Sequence, residues 1–189
     1  MSLFGVQVSV MVHVLFGVLG ILLAVALFVY VLNVNEKNIP TIRGLSLCLA
    51  LSLVVSYVIG GWWYVVHYAH DKAIILEGPW EWAHSFFMEW KEHFFFSLLV
   101  LSILLPVITY RNNLLIPENR RLTLIVTSLI VLIGLAMEGA GAVISRGVLM
   151  GCIDNHPGFV PHPGKMPLQE PVQTRKQQKS FSCSSPFFI

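Results

Sequence analysis

Six side chains join metal-ligating or proton-exchanging chemistry to positions beside long apolar runs: His13, His67, His70, Glu89, His93 and Glu138. Imidazole suits Zn, Cu and Fe, and carboxylates extend the choice to Mn and Fe. Histidines and glutamates projected inward from facing helices are how bundles build such centres. The set therefore predicts a transition metal site (Fe, Zn, Cu or Mn) serving metal-dependent redox chemistry or metal handling. Glu89 and His93 are four residues apart, so a helix places them on one face. Glu138 lies in LIGLAMEGAGAV, among small residues that let helices approach closely. An ionised side chain inside a membrane is costly and by default marks a working position with a partner.

Two other chemistries draw on the same residues. His13 and His93 fall at equivalent places in an internal repeat, and two such histidines would ligate a haem b iron axially for electron transfer. A His/Glu proton relay, or an assembly role resting on an ion pair between Glu138 and a protonated histidine, needs no cofactor. The motif Glu89-x-x-Glu92-His93 departs from the Glu-x-x-His spacing of di-iron bundles. H-E-x-x-H is absent, which removes the usual zinc protease reading. Cys48, Cys152 and Cys183 form no C-x-x-C pair, so neither a thiol–disulfide enzyme nor a zinc knuckle is indicated.

The elements that must carry these residues follow from composition. Hydrophobic residues make up 56% of the 189 and charged residues 12%, with a mean hydropathy of +0.73. A soluble domain carries roughly 25% charged residues, so the surface is built for a lipid bilayer. A net charge of +2 gives no reason to expect nucleic acid. Four apolar runs, about 8–32, 44–66, 86–110 and 122–143, are each long enough to cross a hydrocarbon core. No charge precedes the first run, and it is too long for a signal-peptide core, so it reads as a retained span. The fold class is an all-α membrane protein, a four-helix bundle over 1–150. Residues 151–189, rich in Pro, Gln, Ser and Lys, read as a disordered tail. His156 and His162 there sit in NHPG and PHPG and read as turn residues.

The halves resemble each other. His13, Phe16, Gly17, Tyr30 and Asn33 match His93, Phe96, Ser97, Tyr110 and Asn113 in spacing, and Ile39-Pro40-x-x-Arg43-x-Leu45-x-Leu47 matches Ile116-Pro117-x-x-Arg120-x-Leu122-x-Leu124. This predicts two duplicated, parallel helical hairpins. Counting residues from the polar turns puts His13, His67, His93 and Glu138 near one depth in the outer layer. A quinone or a second membrane protein is a reasonable partner for such a layer.

Orientation follows from basic residues beside the span ends. Lys37, Arg43, Arg111, Arg120 and Arg121 flank the two short turns, while the aromatic stretch Trp62 to Phe96 holds Lys72 and Lys91 against five acids. The short turns are expected in the cytoplasm, with the N-terminus, the aromatic stretch and the tail outside. A cysteine replacing Ala73 should be labelled by an impermeant thiol reagent added to intact cells, and one replacing Asn119 should not. The opposite labelling pattern would invert the assignment.

Overall fold

The computed structural model describes residues 3–155. The expected tail from 156 onward, with His156 and His162, lies outside the described residues. Helix α1 spans Leu3–Leu32, α2 spans Ile39–Glu77, α3 spans Glu89–Arg111 and α4 spans Pro117–Asn155. A π-helical segment, Ala83–Met88, leads directly into α3. All four helices are long and apolar enough to cross a membrane. Pro40 lies in the first turn of α2 and Pro117 opens α4, where a missing N–H costs nothing. Gly78, with an extended backbone, ends α2 and Pro79 follows.

Around the bundle, α1 packs on α2 and α4, and α3 packs on the same two. Among the described residues α1 and α3 therefore stand on a diagonal of the four-helix bundle. The end carrying the turns 33–38 and 112–116 is tied by Arg43. Its Nε donates to the Thr109 carbonyl at 3.1 Å, and its guanidinium lies 5.6 Å from the centre of the Tyr110 ring. That carbonyl belongs to the last turn of α3, where acceptors lack intrahelical partners and positive charge is favoured. Ser46 Oγ and Thr109 Oγ1, both buried, meet beside it at 2.8 Å. Above this end lies an apolar core that includes Leu27, Leu49, Leu105 and Ile130.

The helices outrun the apolar runs. The expected spans 44–66 and 122–143 continue as helix to Glu77 and Asn155, so 151–155 is helical rather than tail. At 39 residues each, α2 and α4 are about 58 Å long against a hydrocarbon core of about 30 Å. Hydropathy marked only the lipid-crossing portion; the remainder is held by a second core. Tyr68, Ile75, Ala83, Met88, Ile144 and Val148 form that core, with Trp63, Trp80 and Phe87 packed against it. We call it the aromatic cap, and the end of the bundle that carries it the cap end. Among the described residues α1 makes no contact with the π-helical segment, and the cap's buried residues come from α2, the π-helical segment and α4.

Two glycines close the cap. A Cβ on Gly78 would lie 2.6 Å from Gly151 Cα, and one on Gly151 would run into the Ile74 carbonyl oxygen. Gly151→Ala should thus lower stability by about 1–3 kcal/mol, the usual cost of overpacking. Gly44, inside α2 with nothing within 4 Å of an added Cβ, should gain about 0.5–1 kcal/mol on replacement by Ala. Thermal unfolding of both variants in one detergent checks the opposite signs.

Candidate functional site

Between the two cores lies a polar layer made by three helices. His13 comes from α1, Lys91 from α3 and Glu138 from α4, and all three border two adjoining cavities of about 40 Å³ and about 540 Å³. Each is seated against a glycine of the next helix. A Cβ on Gly60 would lie 2.5 Å from the His13 ring, one on Gly141 would lie 3.2 Å from Lys91 Nζ, and one on Gly17 would run into Glu138 Oε1. The hairpins thus repeat one arrangement: the first helix of each sends a basic side chain to a glycine on the second.

Ser56 fixes the imidazole. His13 Nδ1 lies 2.8 Å from the Ser56 carbonyl oxygen, which can only accept, so Nδ1 carries the proton. The Ser56 hydroxyl donates back to the His13 carbonyl at 2.9 Å. Nε2 is therefore left as the nitrogen with a lone pair, the form of histidine that takes up a proton or a ligand. Lys91 and Glu138, of opposite charge when ionised, border the same two cavities. Among the described residues neither makes a hydrogen bond or a contact ion pair with the other. Charged groups in a bundle surrounded by lipid ordinarily pair or serve a function.

The larger cavity reaches up into the cap. Trp63, Tyr64, Tyr68, Phe95 and Met88 wall it, and Asp71, Glu92 and Arg146 also border it. Tyr64 donates to Glu92 Oε1 at 2.5 Å and stacks on Tyr68, centroids 5.1 Å apart. Tyr68 and the buried His84 meet at 2.8 Å through the phenol oxygen and Nδ1. On the small-cavity side Tyr57 stacks on Phe95 at 4.2 Å.

Of the six residues singled out by sequence, the structure brings together His13 and Glu138. His67, on α2, lines neither cavity; its Nε2 is buried and unpartnered and its ring is edge-on to Trp62. His70 is exposed, and both it and His67 lie close enough to Asp71 to interact electrostatically. Glu89 and His93 are exposed. His93 Nδ1 donates to the Glu89 carbonyl at 2.7 Å within its own helix. His93 borders neither of the two cavities that His13 borders. Among the described residues no group of three or more His, Cys, Asp or Glu side chains is gathered closely enough to hold a metal ion.

The residue that sequence reasoning missed is Lys91. It lies two positions before His93, and residues two apart on a helix do not share a face. Turning His93 inward on the strength of the repeat turned Lys91 outward; the structure has the reverse. Gly60 and Gly141 face the His13 and Lys91 side chains, but α2 and α4 carry further glycines, so the sequence does not single them out. No protein-family model, curated protein or solved structure matches the chain, and the site is read from its own geometry.

The glycine seats are open to test. Gly17→Ala should displace the Glu138 carboxylate and destabilise by about 1–3 kcal/mol. In a Glu138→Ala background the same change should cost at least about 0.5 kcal/mol less, the coupling expected of residues in contact. Equal costs in both backgrounds would mean that the carboxylate does not occupy that space.

Proposed function

We propose that the protein carries a proton-exchanging site within the membrane bundle, with His13, Lys91 and Glu138 as the titrating groups and the larger cavity as their access route. The observation that carries this reading is the open arrangement of the three. They converge from three helices onto one cavity border, yet no contact ion pair satisfies them among the described residues. A purely structural ion pair gains from closing to hydrogen-bonding distance, because in low dielectric that offsets desolvation. Groups held apart beside a cavity exchange protons or bind something instead.

The same geometry favours proton exchange over ion binding. Lys91 brings the positive charge that a metal ion would otherwise supply opposite Glu138. The Ser56 carbonyl holds one His13 nitrogen as a donor and leaves the other as a base. Beyond the layer, the Tyr64–Glu92 and Tyr68–His84 hydrogen bonds continue polar chemistry from the cavity border into the cap.

Infrared difference spectra of the full chain in phosphatidylcholine vesicles test this. Stepping the pH should produce a carboxylic acid C=O band that titrates reversibly and disappears in Glu138→Gln. If the pH range over which the protein stays folded yields no band assignable to Glu138, the carboxylate is permanently charged and the exchange reading fails.

A further inference from the structure

The gap between Lys91 and Glu138 has the chemistry of half a binding site. An ammonium only donates hydrogen bonds and an ionised carboxylate only accepts them. A group placed between them must accept on one side and donate on the other. His13 Nε2 adds a second acceptor at the same border. A single water meets this demand but leaves the apolar walls of a cavity of about 540 Å³ unfilled. That volume falls within the roughly 300–1,000 Å³ typical of small-molecule sites, which combine apolar and aromatic walls with a few convergent polar groups.

Charge narrows the class. Aside from imidazole, the ionisable residues bordering the cavity are Asp71, Glu92 and Glu138 against Lys91 and Arg146. The excess of acid disfavours an anionic lipid phosphate and favours a neutral head. All four helices that border it are of membrane-crossing length and apolarity, so the bilayer is the natural source of the ligand. The wall rings of Trp63, Tyr64 and Phe95 suit a flat ring, which gains from stacked or edge contacts.

We propose that the cavity binds the ring head of a lipid-soluble quinone or quinol. A head oxygen accepts from Lys91, and in the reduced form the hydroxyl on that oxygen donates to Glu138 or His13 Nε2. Both redox states are bound without being interconverted there. This rests on the same three side chains as the proton-exchanging reading, but occupancy is measured separately from protonation, so each can fail alone.

The test is native mass spectrometry of the full chain released from detergent, titrated with decyl-benzoquinone and, separately, its quinol, with phosphatidylglycerol as competitor. Wild type should show one saturable adduct with either form, not displaced by the phospholipid. Lys91→Met should reduce its occupancy about tenfold, the loss of one hydrogen bond to a charged group. Because Lys91→Met can disturb the fold, Gly61→Leu provides a second variant. Gly61 borders the cavity and a Cβ there meets nothing within 4 Å, so the added side chain should leave thermal unfolding unchanged while excluding the ligand. Absence of a saturable adduct, equal occupancy in wild type and both variants, or a phospholipid that the quinone fails to displace would each overturn the proposal.

Discussion

Keeping an ammonium, a carboxylate and an imidazole inside a lipid-surrounded bundle is the constraint on which the rest of this structure depends. Lipid offers no hydrogen bonds in exchange for water, so every polar group must be held by protein or by what the protein binds. The solution is local. Each polar side chain projects from one helix into the space left by a missing side chain on the next: His13 against Gly60, Lys91 against Gly141 and Glu138 against Gly17. In membranes, association between helices relies on close packing at small residues. Here the same small residues that bring backbones together also make room for charge.

The two cores on either side of the layer have different work. The core near the polar turns is aliphatic and is fastened by Arg43 on the open end of α3. The cap is aromatic and is formed where α2 and α4 continue beyond the apolar runs, joined by the backbone contact at Gly78 and Gly151. On the side of α1 the cavity border is supplied by Val10, His13 and Val14. The π-helical segment leading into α3 sits against α4 here. Such segments recur at functional sites because they shift the register of the helix that follows.

Much of the fold was legible in the sequence because hydropathy and turn chemistry act over short stretches. The four runs, Pro40 and Pro117 in the first turns of helices, and the depth of His13 and Glu138 all come from local counting. The helix extensions to Glu77 and Asn155 did not, since they run past the apolar stretches and are held by α4 packing on α2 and on the π-helical segment, which local counting does not show. The side-chain layer was half legible. Depth depends on distance along a helix, which the sequence supplies; facing depends on rotation about it, which here turned on choosing between Lys91 and His93. The repeat put His93 opposite His13, but the basic side chain that α3 sends to the cavity border is Lys91.

The seating of Glu138 also has an electrical meaning. Both cavities lie on the cap side of the aliphatic core. A proton that reaches Glu138 from the cap end crosses only part of the membrane field, whose full drop is worth about 2.3 kcal/mol per charge at 100 mV. On the proton-exchange reading proposed above, the site's charge state would follow the acidity of the compartment at the cap end more than the membrane potential. Under that reading, such a bundle would respond chemically to one side of the membrane and not to the other.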